Sequence, residues 1–327
     1  MTLGKTQSIA LNGLVGSLVE IEVDIADGIP SFALLGLPDA ALSESRDRVR
    51  AALINCGQLW PNRKVTVSLS PAWLPKSGSA FDLSIAIAIE IAQGALPQGP
   101  FTATAILGEL ALDGKIRAVR GVLPALIAAY KSGVKRAIVP QENVEEAALL
   151  THMEILTFAN LSQLIRWATT GEIVQAPALS MEVAELSAEV DFADVAGQQR
   201  ARFAAEVAAS GGHHLLLIGP PGAGKTMIAS RIPTILPPLT LEQALEVTAV
   251  HSISGGLTQR SALSRIAPII APHHTASRVA LVGGGSQVIK PGSCSLAHHG
   301  VLFIDEAPEC ALGVLDALRQ PLESGTI

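Results

Sequence analysis

The sequence predicts an α/β protein built as two units, and three observations carry that expectation. Apolar residues make up 49% of the 327 positions, charged residues 16% and aromatics 3%. A core must therefore come from Ala, Val, Ile and Leu, the material of sheets covered by helices on both faces. Segments with apolar residues at every second position alternate with segments of helical spacing. Late in the chain an apolar run leads into a glycine-rich turn and then a helix-compatible stretch.

The length suffices for two domains, and the composition excludes intrinsic disorder. A net charge of −6 and a pI near 5.8 argue against a surface coated in basic charge, while leaving room for a basic lining confined to one inner face. Cys56, Cys294 and Cys310 are widely spaced and odd in number. They form neither a disulfide framework nor a zinc pattern, which points to a reducing cytoplasm. The N-terminus lacks the apolar core of a signal peptide. The longest apolar stretch, 83–92, contains Ser84 and Glu90 and is about half the ~20 residues a membrane span needs. A soluble cytoplasmic protein with no membrane partner is expected.

In chain order, residues 1–168 read as the first domain. Residues 19–25 alternate as a strand, and 40–56 have helical spacing with Glu44, Arg46, Asp47 and Arg48 on the polar face. Residues 64–69 alternate again, 81–93 form a buried helix, 123–132 a further helix and 136–139 a strand. Gly121 and Pro124 suit the start of the helix at 123. Across 169–190 the amphipathic pattern fades and Pro177 interrupts it, as in a linker. The second domain, 191–327, opens with a helix at 199–210 and a strand at 214–218.

That strand runs into Gly219-Pro220-Pro221-Gly222-Ala223-Gly224-Lys225-Thr226, the full GxxxxGK[ST] phosphate loop in strand–loop–helix context. The glycines let the backbone curl so that its N–H groups face phosphate oxygens, and a helix N-terminus adds partial positive charge. Lys225 reaches the β- and γ-phosphates and the Thr226 hydroxyl ligates magnesium. A plain glycine turn between strand and helix is the alternative. Residues 301–304 (VLFI) read as a buried strand that delivers Asp305 and Glu306 to a sheet edge. Asp305 would hold magnesium, and Glu306 would act as the catalytic base toward the attacking water, with Lys225 as its catalytic partner.

The residues APHHTAS at 271–277, LVGGGS at 281–286, Pro291-Gly292, SLAHHGVLFIDE at 295–306 and VLDALRQPLE at 314–323 extend the pattern. With the two nucleotide motifs, they resemble the magnesium-chelatase-related AAA+ ATPases, in particular the ComM (YifB-like) subfamily. The resemblance implies a P-loop AAA+ doubly wound domain using ATP and Mg2+, and a homo-hexameric ring. It further implies ATP-driven remodelling of single-stranded or branched DNA, with branch migration in recombination and transformation. It makes 283–291 an inserted hairpin facing a central pore, with Lys290 as a DNA contact or else a solvated loop lysine. It sets 194–198 near the adenine. Sensor 1, the arginine finger and the helical lid would lie beyond Ile327, so a partial, truncated ATPase core with impaired hydrolysis is expected. The competing readings are a fragment that binds nucleotide or DNA without turnover, a Lon-like peptidase, and a metal-chelatase subunit.

The first domain resembles the Lon protease domain through LPKSGSAFD at 74–82, LGELALDGK at 107–115 and AAYKSGVK at 128–135. The resemblance puts Ala80 at the nucleophile position, and 120–125 offers no lysine. Ser79 without a base is a poor nucleophile, so a proteolytically inactive domain is expected. Lys76 and Asp82 read as turn and helix-cap residues. Three pairs, His213/His214, His273/His274 and His298/His299, invite a metal site. Neighbours on a strand point apart and no carboxylate stands at zinc spacing, so structural roles are expected.

Overall fold

The computed structural model describes residues 3–172, 190–255, 263–285 and 289–326. Most of the expected linker, 173–189, and the middle of the expected hairpin, 286–288, lie outside the described residues. The chain divides into two compact units, Met1–Met181 and Glu182–Ile327.

In the first unit, β1 (Gly4–Asn12) and β2 (Val15–Ala26) form a hairpin, followed by β3 (Ser31–Leu35), α1 (Ala40–Ser43) and α2 (Ser45–Asn55). Next come β4 (Lys64–Ser70), α3 (Asp82–Gln93), β5 (Thr104–Ile106), and the short β6 (Glu109–Leu110) and β7 (Ile116–Arg117). The unit ends with α4 (Val122–Lys131), β8 (Arg136–Pro140), α5 (Val144–Ala147), β9 (Glu154–Phe158) and α6 (Leu161–Thr170). Seven strands make one sheet in the order β3-β4-β2-β1-β5-β8-β9. The β1–β2 and β2–β4 junctions are antiparallel and the rest parallel.

Strand periodicity explains why this sheet is covered twice. Val19, Ile21 and Val23 of β2 join Val65, Val67 and Leu69 of β4 in one core with Leu83, Ile85, Ile87 and Ile89 of α3. Successive residues of β1 face opposite ways: Ala10 belongs to that core, while Ile9 joins Val122, Leu126 and Val139 in a second. A Cβ at Gly4 would lie 2.0 Å from the Ala88 carbonyl oxygen, so only glycine lets β1 approach the backbone of α3 this closely. Every residue of α3 from Asp82 to Ala92 is buried. Among the described residues, no helix is long and apolar enough to cross a membrane.

Two polar residues of this unit have deeper places than the sequence suggests. Asp82 takes a forked pair of hydrogen bonds from Arg48, Nε at 2.7 Å and Nη2 at 3.0 Å. Burial nonetheless pushes its pKa up to about 6 against the pull of the guanidinium. Lys76, expected in a turn, is 1% exposed and donates to the carbonyls of Leu69 and Pro71. Burial draws its ammonium pKa down. Ser79 Oγ donates to the Glu109 carboxylate.

The second unit contains α7 (Gln199–Gly211), α8 (Lys225–Arg231), α9 (Leu241–Ser254), β10 (Ile269–Ile270), α10 (Arg278–Val282) and β11 (Gly283–Gly284). It continues with β12 (Lys290–Pro291), α11 (Ser293–Leu296), β13 (Val301–Leu302), α12 (Leu312–Asp316) and α13 (Arg319–Ser324). β10 and β13 run parallel, and β11 and β12 pair antiparallel as the base of a hairpin. α9 opens on a capping box in which Thr240 and Gln243 satisfy each other's backbone N–H groups.

Two expectations need correction. Residues 214–218 were expected to be a strand, yet among the described residues they pair with no strand. The alternation itself is real. Leu215 and Leu217 are partly buried against Phe192, Val195, Ala205 and Ile228, while Leu216 and Ile218 are 78% and 88% exposed. Periodicity reports which side chains face a core; it cannot supply the neighbouring strand that a ladder requires. The run 301–304 was expected to be buried, but all four residues are half-buried and only Val301–Leu302 is laddered. The described ladders of this unit thus fall short of a doubly wound sheet.

Candidate functional site

The phosphate-loop sequence curls as its glycines allow. Gly222 and Gly224 have φ of +77° and +79°, the left-handed region that L side chains avoid, and α8 begins at Lys225 immediately afterwards. Lys225 Nζ donates to the carbonyls of Gly219 at 2.9 Å and Pro220 at 3.0 Å. The ammonium is thereby held over the mouth of its own loop. Gly219, Pro220, Pro221 and Thr226 are exposed, and Ala223 is half-buried.

The other half of the site arrives from the end of β13. Thr226 Oγ1 donates to Asp305 Oδ2 at 3.0 Å, across 79 residues of sequence. The second carboxylate oxygen of Asp305 accepts the backbone N–H of Glu306 at 3.0 Å. Glu306 has φ +50°, uncommon for a residue with a side chain, and that Asp305 hydrogen bond braces it. The structure thus brings together Thr226, Asp305 and Glu306. Lys290 stands exposed on β12.

Two contacts at the site were not read from the sequence, although 194–198 was expected near the adenine. His274 Nδ1 lies 3.3 Å from Glu306 Oε2, on the segment that follows β10, the parallel partner of β13. The pair HH at 273–274 was visible, but its carboxylate partner is set by the β10–β13 register. Gln198, with φ +51°, donates its side-chain amide to the Ala223 carbonyl inside the loop. Only the spatial return of 198 onto 223 reveals that contact.

The donor set suits a hard cation. A threonine hydroxyl and a carboxylate oxygen in contact are the oxygen ligands that magnesium prefers, with waters and phosphate completing its shell.

Comparison with known proteins adds an independent line. The family described as "Magnesium chelatase, subunit ChlI" matches residues 191–327, and "Subunit ChlI of Mg-chelatase" matches residues 21–143. An uncharacterized protein of Mycobacterium tuberculosis is 50% identical over 327 residues, all of this chain and 65% of the relative. Competence protein ComM of Haemophilus influenzae is 43% identical over 337 residues, all of this chain and 64% of its own length. The uncharacterized protein YifB of Escherichia coli is 41% identical over 328 residues, again all of this chain and 64% of the relative. The chain therefore spans about 65% of the length of the curated relatives it matches. A Lon protease of Mycolicibacterium smegmatis is 26% identical over 147 residues, 43% of this chain and 18% of that protein.

Proposed function

Because this chain belongs to the magnesium-chelatase-related proteins of the YifB/ComM type, we propose that it binds ATP with magnesium at 219–226 and takes part in ATP-driven remodelling of DNA. The observation that carries the nucleotide reading is the 3.0 Å contact between Thr226 and Asp305. Two residues far apart in sequence meet as the oxygen pair that one magnesium needs. When bound, the metal neutralises phosphate charge. The loop N–H groups orient the phosphates, and Lys225 exchanges its carbonyl partners for phosphate oxygens. Glu306, braced by Asp305 and faced by His274, accepts a proton from the attacking water.

DNA as the partner, a homo-hexameric ring, branch migration and Lys290 as a contact on the 283–291 hairpin belong to this proposal. The similarity to the competence protein ComM of Haemophilus influenzae supports a DNA role. A second reading, nucleotide held without turnover, is favoured by the stem at 214–218, which among the described residues has no ladder partner. A peptidase is disfavoured, since Lys76 is committed to main-chain carbonyls and Ser79 to Glu109.

The test is equilibrium binding of a fluorescent ATP analogue with magnesium, alongside turnover measured with and without branched DNA. Lys225→Ala should weaken binding about 10- to 100-fold, the worth of a charge-assisted contact. Glu306→Gln should keep binding and lower turnover by roughly 10²-fold or more. Binding untouched by Lys225→Ala would sink the nucleotide reading, and turnover indifferent to DNA would sink the remodelling reading.

A further inference from the structure

Outside the nucleotide site, one group of side chains has the makings of a metal centre. Glu246 stands on α9, and His298 and His299 stand on the turn between α11 and β13. Glu246 Oε2 lies 2.7 Å from His299 Nε2 and 3.2 Å from His298 Nε2. The three ligand atoms all lie within 4.8 Å of one another, the one such group among the described residues.

On a strand, neighbouring histidines point to opposite faces and could not share an ion. The backbone here is a turn, and His299 has φ +55°. Across this turn the two rings lie together, their centroids 4.0 Å apart. The turn is fixed from two sides. His251 of α9 hydrogen-bonds the Leu296 carbonyl at 3.0 Å. Gly300 lies so close to Pro268 that a Cβ there would come within 2.1 Å of its carbonyl oxygen.

We propose that Glu246, His298 and His299 form a three-ligand site for a divalent transition ion, with zinc the best match, which clamps α9 to the turn leading into β13. Two imidazole nitrogens and one carboxylate suit zinc, whereas magnesium and calcium favour all-oxygen shells. Ligands about 2.0–2.1 Å from a tetrahedral zinc stand about 3.4 Å apart; the 3.2 Å separation of Glu246 and His298 is close to that spacing, and the 2.7 Å contact of Glu246 with His299 is a hydrogen bond that opens by several tenths of an ångström to admit the ion. The side chains of Glu246, His298 and His299 are 51%, 47% and 28% exposed, which leaves room for water at the remaining position. Asp305 and Glu306 follow in the same chain segment, six and seven residues after His299, so the clamp sets the approach to the nucleotide site without belonging to it.

The test titrates the purified full chain, stripped with a chelator and free of nucleotide, with zinc against a chromophoric competitor, and separately with cobalt. One equivalent of zinc should bind, and cobalt should give the visible bands of a four-coordinate site. Glu246→Gln and the double change His298→Gln/His299→Gln should each weaken zinc at least about tenfold, the scale of a lost metal ligand or its support. His152→Gln, in the other unit, should leave binding intact. Circular dichroism confirms that each variant is folded. Sub-stoichiometric binding to the parent chain, an octahedral cobalt spectrum, or binding unchanged in the folded double variant would overturn the proposal.

Discussion

Glu90 lies on α3 at 1% exposure, and the side-chain partner it has is Gln93, Nε2 to Oε1 at 3.1 Å. Burial raises its pKa to about 7. A carboxyl whose folded pKa is raised contributes stability that is present below its unfolded pKa, near 4.5, and lost as pH rises through 7. Glu90→Gln should therefore be nearly neutral at pH 4.5 and should stabilise the first unit progressively up to pH 8. The limit is on the order of 3 kcal/mol, read from urea unfolding at several pH values. A pH-independent difference would count against a proton held in the core. Residues of this kind divide by what the sequence could reveal. The curl of the loop at 219–226 and the helix starting at Lys225 were legible because a phosphate loop is local, its shape set by glycine spacing within eight positions. Lys76 was not, because a lysine in a PKSG turn reads as exposed until the strand carrying Leu69 folds over it. The convergence of His298 and His299 on Glu246 was hidden for the same reason, and the strand geometry assumed for the pair pointed the wrong way.

At the scale of elements, α3 was legible because a run of eleven buried residues leaves no face to guess. The strands at 19–25 and 64–69 were legible because one face of each meets a core, which is what alternation encodes. The stretch 214–218 alternates just as clearly, but alternation is silent about the lateral hydrogen bonds that define a strand. Its backbone amides should exchange with solvent deuterium at opening free energies of about 0–1 kcal/mol, while those of Val19, Ile21 and Val23 should approach the global value of their unit. Mass-spectrometric or NMR exchange reads this directly. Slow exchange across 214–218 would mean that a ladder partner exists in solution.

The whole molecule is uneven. Its first unit has a seven-stranded sheet with a core on each face. In the second, the described ladders are two residues long, and the apolar clusters are small. Calorimetry should accordingly show two transitions, the second unit melting first. Magnesium with ATP at about 100 times its dissociation constant should raise only that earlier transition, by about 2.7 kcal/mol. A single transition, or equal shifts of both, would contradict this division. The two-unit plan could be read from the sequence because fading periodicity near Pro177 and a fresh motif at 219 need no tertiary knowledge. The thinness of the second sheet could not, since it depends on which segments find neighbours.

Five residues of unladdered backbone carry an ordering cost of about 1–2 kcal/mol each, and among the described residues no cross-strand bond offsets it. What keeps the ribbon in place is the pair Leu215 and Leu217, set against Phe192, Val195 and Ile228. They act as two aliphatic pegs, from which the glycine coil at 219–226 hangs.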